Sequence, residues 1–200
     1  MKLESNVVAG SLIFWGSAQF ILFMIVAEAL YPGYNISFNY ISDLGVGPSA
    51  SIFNSSVFLL GLTAVSSVYY LRKFILDKKI FLAFMFLCGI GAMGVGIFSE
   101  DFGFIHTIVS LIAFIFGGLS ATYSSKISRK PFSYFSLILG LISIISLVIF
   151  VVFEMLEFFR IPSYLSFNYL GLGRGGMERM VVYPVLVWAL GFGGYLIGQK

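Results

Sequence analysis

A ten-residue stretch, NYISDLGVGP at residues 39–48, connects the first two of six long apolar segments. It carries an amide, a hydroxyl, a carboxylate and turn-forming glycines, but no Lys or Arg. Gly, Pro, Asn, Asp and Ser favour turns over regular helix, so we interpret this stretch as a polar connection between two apolar spans. Most other polar residues of interest fall on the same predicted side of the molecule.

The composition indicates a polytopic membrane protein. The chain has 200 residues, of which 59% are hydrophobic and 10% charged, whereas soluble domains carry about 25% charged residues. A membrane-spanning helix needs about 20 mostly apolar residues. Six segments qualify: residues 7–31, 50–71, 80–98, 104–123, 132–153 and 180–198. The sequence therefore predicts an all-α fold, with one domain over residues 1–200 that forms a compact bundle of six transmembrane helices.

The basic residues predict how this bundle lies in the membrane. Six spans place nine of them on one side: Lys2, Arg72, Lys73, Lys78, Lys79, Lys126, Arg129, Lys130 and Lys200. Only Arg160, Arg174 and Arg179 fall on the other side. Because Lys and Arg accumulate in cytoplasmic loops, both termini are predicted to be cytoplasmic and the Asp43 loop to face outward, in a plasma membrane. This bias also explains the net charge of +3, so we expect no nucleic-acid partner.

Small residues recur along the predicted helices. The third contains Cys88, Ala92 and Gly96 at four-residue spacing, and the sixth contains Gly194 and Gly198. Such stripes allow helix backbones to approach closely in a membrane. Packing within one chain is the favoured interpretation, and an interface with a second copy or another membrane protein is the alternative. Membrane lipids are the expected partners in either case.

One short sequence occurs twice. SFNY stands at residues 37–40 and again at residues 166–169, in each case after a predicted outward-running helix. The match indicates either an internal repeat of a helix with its following loop, or a coincidence in a chain rich in Phe, Ser and Tyr. The sequence leaves both interpretations open.

Glu28 is the most informative of the charged residues. A carboxylate near the end of an apolar span is costly and needs either a partner or access to the interface. Arg174 or Arg179 could supply the opposite charge. The glycine-rich residues 171–179 also suit either an anion-binding loop or a turn whose arginines pair with nearby carboxylates. We predict a ligand-binding group on the outward side, made of Glu28, Asn39, Asp43, Arg174, Glu178 and Arg179.

His106, the only histidine, is a candidate acid–base residue. Histidine can titrate near neutral pH, and Asp101 is close enough in sequence to orient it. The alternative is a structural histidine at the start of a helix. No paired spacing such as HExxH is present, so the sequence predicts no metal site, and it assigns no cofactor.

Six short-looped spans with YISDLG at residues 40–45 resemble the integral membrane family called domain of unknown function 998. The positions of His106 and of Glu178-Arg179, before the last span, are similar in placement. The resemblance extends over nearly the whole chain. It implies a compact helical membrane bundle and no assigned reaction, so it transfers no catalytic residues.

The leading functional hypothesis is an outward-facing polar pocket that binds a lipid headgroup or a small polar ligand. It rests on ionisable residues that converge from several connections on one side. The first alternative is a membrane-embedded enzyme acting on lipid or isoprenoid substrates, with His106 as acid–base and Asp101 as its orienter. The second is a non-catalytic accessory subunit of a membrane complex.

Overall fold

The fold is an all-α bundle of six long helices, as the sequence predicts. The computed structural model describes residues 4–160 and 166–199, so Lys2 and Lys200 lie outside the described residues. The helices are α1 Ser5–Leu30, α2 Ala50–Leu71, α3 Lys79–Ile97, α4 Phe104–Ser124, α5 Phe132–Phe158 and α6 Gly173–Ile197. All six are long and apolar enough to cross a membrane. The described residues include no strand.

The start of α6 differs from the sequence prediction. We expected this helix to begin near residue 180, because residues 171–179 are rich in glycine and charge. In the structure α6 begins at Gly173, and the α1–α2 connection packs on its first turn. The amide of Gly175 donates to the carbonyl of Ser37 over 3.0 Å. A side chain on Gly175 would collide with the carbonyl oxygen of Asn39, so a tertiary contact explains a glycine that helix propensity disfavours.

The six helices close into a ring. Each helix packs on its neighbours in chain order, and α6 packs on both α5 and α1. Glycines permit these close contacts: a Cβ on Gly61 of α2 would lie 2.5 Å from the carbonyl oxygen of Gly89 in α3, and one on Gly91 would lie 2.5 Å from the amide nitrogen of Ala113 in α4. Helix backbones therefore approach closely on both sides of α3.

The two ends of the ring carry different chemistry. The polar end is formed by the α1–α2, α3–α4 and α5–α6 connections, and the basic end by the α2–α3 and α4–α5 connections and the chain termini. At the basic end, the side-chain amide of Asn6 donates to the carbonyl of Gln199 over 2.8 Å. The first and last described turns are therefore neighbours on one side of the bundle.

Two large apolar clusters fill most of the interior. One lies toward the basic end around Phe81, Trp188 and Phe192, and the other toward the polar end around Phe20 and Phe53. Trp188 satisfies its indole N–H by donating to the Ser124 hydroxyl over 2.8 Å. The interior toward the basic end is thus closed by stacked rings, whereas the cavities described below lie toward the polar end.

Candidate functional site

Arg179 is the centre of a closed ion-pair network at the polar end. It lies in the second turn of α6 and is 5% exposed. Its Nη2 donates to Glu28 Oε1 over 2.8 Å and to the hydroxyl of Tyr34 over 2.6 Å. A charged group inside a membrane span requires such partners. Of the two arginines that the sequence offered to Glu28, the structure pairs Arg179 with it.

The same guanidinium holds the α1–α2 connection. Its Nη1 donates to the carbonyl oxygens of Ile36, Asn39 and Gly175, at 3.0, 3.2 and 3.0 Å respectively. Tyr34 in turn donates to the carbonyl of Tyr40 over 2.8 Å. Burial raises the pKa of Tyr34 to about 12, so its hydroxyl keeps the proton it donates. Arg179 therefore directs its two terminal nitrogens at the protein's own acceptors.

Asn39 and Asp43 organise the turn that follows. The Asp43 carboxylate accepts hydrogen bonds from the side-chain amide of Asn39 over 2.8 Å and from the backbone amide of Tyr40 over 3.1 Å. Across the polar end, Asp43 also faces Glu100 of the α3–α4 connection. Burial, together with the neighbouring Asp43 carboxylate, raises the pKa of Glu100 from its usual 4.5 to about 7. This carboxyl pair links two connections.

Arg174 lies outside the closed network and is exposed. Its Nε donates to the carbonyl of Phe38 over 2.9 Å, and its guanidinium lies 5.3 Å from the centre of the Tyr40 ring. This cation–π contact holds the ring from one side. Arg174 therefore positions Tyr40, which has a second partner in the cleft between α4 and α5.

A cleft of about 680 Å³ lies between the first half of α4 and the second half of α5. The two helices pack tightly nearer the basic end, where a Cβ on Gly118 would lie 2.8 Å from Ile144. They separate toward the polar end, and Thr107 and Met155, both exposed, line the opening. The cleft's polar lining comes from five segments of the chain: Tyr40, Ser42, Glu100, His106, Thr107, Ser110, Glu154 and Glu178.

Two tyrosines converge on one carboxylate oxygen in this cleft. Tyr40 donates to Glu154 Oε1 over 2.6 Å, and Tyr169 donates to the same oxygen over 2.8 Å. Burial first, and then Glu154, raise the pKa of both phenols, so both remain protonated donors. These are the last residues of the two SFNY sequences. The sequence left open whether the SFNY match is a repeat or a coincidence, and it did not single out this pair; the fold shows their common partner.

His106 lies in the wall of the cleft and is buried. Its Nδ1 lies 2.7 Å from the carbonyl oxygen of Phe98, and its Nε2 lies 3.2 Å from the Ser110 hydroxyl. Because a carbonyl only accepts, Nδ1 carries a proton and donates to Phe98. Asp101 lies on an exposed turn, and no hydrogen bond joins it to His106. The proposed acid–base pair is therefore not assembled directly.

Glu178 separates the cleft from a second cavity. This cavity is about 100 Å³ and almost wholly apolar, and Glu178, Ser42, Ser110 and Phe114 line both spaces. Glu178 is 5% exposed, and its Oε2 accepts the backbone N–H of Ile41. No other described residue donates to this carboxylate. Among residues 4–160 and 166–199, no three His, Cys, Asp or Glu side chains are grouped to hold a metal ion.

The structure therefore does not bring the predicted residues together in one site. Glu28 and Arg179 form the closed network, Asn39 and Asp43 form the adjoining turn, and only His106 and Glu178 line the cleft. The ligand-binding set from the sequence did not include Tyr40, Glu100, Glu154 or Tyr169. Glu100 and Glu154 were visible as carboxylates at the ends of spans, but nothing in the sequence indicated that they share one cavity.

The family profile described as "Protein of unknown function (DUF998)" matches residues 14–194. Neither a curated protein nor a solved structure matches the chain. The family match covers most of the chain, including all of α2 to α5 and most of α1 and α6. The protein belongs to this family of membrane proteins of unknown function.

Proposed function

We propose that the cleft between α4 and α5 binds a membrane amphiphile. The observation that carries this proposal is the shape and polarity of the cleft: it reaches the side of the bundle between two spans, and its polar groups are gathered toward one end. Ligand sites in proteins measure about 300–1,000 Å³, and the cleft is about 680 Å³. The headgroup would lie near Glu154 and Glu178, and the chain would lie along the apolar wall.

The apolar wall supports entry from the bilayer. It is formed by side chains of α4 and α5: Leu111, Phe114, Phe150, Val151, Met155, Phe158 and Phe159. An acyl chain that leaves the bilayer for this wall exchanges one apolar surrounding for another, so its burial adds little driving force. Selectivity must then come from the headgroup and its hydrogen bonds.

Binding is better supported than catalysis. Both ring nitrogens of His106 have protein partners, and Asp101 does not orient the ring. General acid–base catalysis requires a side chain within hydrogen-bond reach of the substrate proton. The arrangement at His106 instead secures the α3–α4 connection to the start of α4. We therefore assign His106 a positioning role in the wall of the cleft.

A pair of neighbouring substitutions tests the proposal. Val151 lines the cleft, whereas Val152, the next residue of α5, is 47% exposed on the outside of the bundle. The protein would be placed in nanodiscs of native lipid that contain a photoreactive acyl-chain probe, and the labelled peptides would be identified by mass spectrometry. We expect Val151→Trp to fill the cleft. Labelling of the residues of α4 and α5 that line the cleft should then fall at least about fivefold.

Val152→Trp is the control, since it adds the same indole to the same helix outside the cleft. It should leave the labelling of cleft residues unchanged. Equal labelling of the cleft in the wild type and in Val151→Trp, with both variants folded, would contradict the proposal.

A further inference from the structure

We propose that the polar end of the cleft selects a protonated amine headgroup. This inference rests on the proposed function and names the chemistry of its ligand. It is carried by the groups that line the cleft and by the partners of the nearest arginines.

All the charged residues that line the cleft are acidic. Glu100, Glu154 and Glu178 reach the cleft from the α3–α4 connection, α5 and α6. The described lining residues include no Lys or Arg. Charges near the bilayer are stabilised by opposite charges, and a cationic headgroup supplies one. A phosphate or carboxylate headgroup would meet like charges instead.

Two arginines of the polar end are engaged by the protein itself. Arg179 makes its ion pair with Glu28 and donates to backbone carbonyls. Arg174 lies over the Tyr40 ring and donates to the carbonyl of Phe38. Neither guanidinium lines the cleft, so the lining itself offers an anion no arginine of the bidentate kind that anion sites use.

Glu178 gives an independent indication of a ligand with donors. It is among the most deeply buried charged side chains of the described residues, and it faces both cavities. Oε2 is held by the Ile41 amide, and Oε1 has no described protein donor. A buried carboxylate with one hydrogen bond is costly unless further donors or positive charge reach it. An ammonium group has three N–H donors and fits this need.

Aromatic rings in the cleft lining also favour a cationic headgroup. Tyr40 and Phe150 lie edge to face, with ring centres 6.0 Å apart, and both line the cleft with Phe114. Ring faces attract ammonium groups, by about 0.5–1 kcal/mol at exposed sites and by more when desolvated. Carboxylates and aromatic rings in one cleft therefore favour an amine over a phosphate on two separate grounds.

Three amphiphiles with the same chain and different headgroups test the inference. Hexadecylamine, hexadecanol and hexadecyl phosphate would be added separately to the protein in nanodiscs of neutral zwitterionic lipid. Binding would be measured as displacement of the photoreactive probe at about pH 8, where an alkylamine remains protonated. We expect the amine to displace the probe at a concentration at least tenfold lower than the alcohol or the phosphate requires.

Substitutions then assign the selectivity to the cleft. Glu154→Gln and Glu178→Gln each remove one charge and keep an oxygen that accepts the native hydrogen bonds. We expect each to reduce the preference for the amine at least fivefold. Glu157→Gln removes a carboxylate from the same end of α5, outside the cleft lining, and should retain the preference.

The outcomes separate this inference from the proposed function. Preferential displacement by the phosphate, or by the alcohol, would overturn the amine inference while leaving an amphiphile site. A preference for the amine that survives both Glu154→Gln and Glu178→Gln would also overturn it. Failure of all three amphiphiles to displace the probe would contradict the proposed function itself.

Discussion

Arg179 joins three segments of the chain through one guanidinium. It pairs with Glu28 of α1, donates to carbonyls of the α1–α2 connection and stands in α6. Removing one partner of a buried ion pair leaves an uncompensated charge and costs about 3–5 kcal/mol. The loss here extends to the connection, whose carbonyls would also lose their donor.

We therefore expect Arg179→Met to lower the free energy of unfolding by about 3–5 kcal/mol. Reversible unfolding in mixed detergent micelles measures this change. Arg174→Met is the matched control from the same helix, and its exposed position predicts a loss of about 1 kcal/mol or less. Adding Glu28→Gln to Arg179→Met should recover part of the lost stability, because it removes the unpaired charge. An equal effect of the two arginine substitutions would contradict the network.

The raised pKa of Glu100 predicts that the stability of the protein depends on pH. Burial and Asp43 raise its pKa in the folded protein to about 7, from an ordinary 4.5. The folded state therefore holds this proton more tightly than the unfolded state does, and the stabilisation present below about pH 4.5 is lost as the pH rises through 7. Asp43, Asp101, Glu178 and Arg174 are the charged groups that act on Glu100 or respond to it.

Thermal unfolding in nanodiscs between about pH 5 and 8 measures the effect. The wild type should show a midpoint that falls across this range, by a modest amount because Glu100 is half-exposed. Glu100→Gln should reduce the slope, while Asp101→Asn, at an exposed neighbour, should retain most of it. A slope unchanged by Glu100→Gln would show that another group is responsible.

At the scale of the helix, the glycines of α3 lie at its contacts with two neighbouring helices, α2 and α4. Gly89 faces Gly61 and Val65 of α2, whereas Gly91 and Gly94 face Val109 and Ala113 of α4. Gly194 of α6 belongs to a predicted stripe of small residues, yet a Cβ there would meet nothing within 4 Å. Spacing alone therefore did not distinguish a glycine at a helix contact from one on an open surface.

Two glycine substitutions make this difference measurable. Gly91→Ala places a methyl group 2.5 Å from the Ala113 amide, and overpacking of this kind costs about 1–3 kcal/mol. Gly194→Ala should leave stability unchanged or raise it by up to about 1 kcal/mol, because alanine favours helix. Unfolding midpoints of the two variants in the same detergent are the comparison. A larger loss for Gly194→Ala would contradict the packing described for α3 and α4.

The sequence was sufficient for the elements and insufficient for their contacts. Hydropathy located six spans because each must be apolar along its length to cross a bilayer. It did not locate the start of α6, because Gly173 and Gly175 look like loop residues in the sequence. In the structure they belong to α6, and they are glycines because the backbone of the α1–α2 connection packs directly against them. Likewise Tyr40 and Glu154 are 114 residues apart, and only closure of the ring brings them together.

At the scale of the whole molecule, an even number of spans places the chain ends together, and the Asn6–Gln199 contact agrees. The excess of Lys and Arg at that end predicts that it is cytoplasmic.

Single cysteines in a Cys88→Ala background test this orientation. Ile36 of the polar end and Leu76 of the basic end are both exposed. We expect a membrane-impermeant maleimide to label Ile36→Cys in intact cells and to label Leu76→Cys only after lysis. The reverse pattern would invert the orientation.

The most direct test of the account is an experimental structure of the protein in native-lipid nanodiscs, examined for density between α4 and α5. The account predicts elongated density along Phe114 and Phe150, with its polar end within hydrogen-bond distance of Glu154 or Glu178. It would be contradicted by α4 and α5 packed against each other along their whole length, with their side chains filling the space and the carboxylates bonded only to the protein.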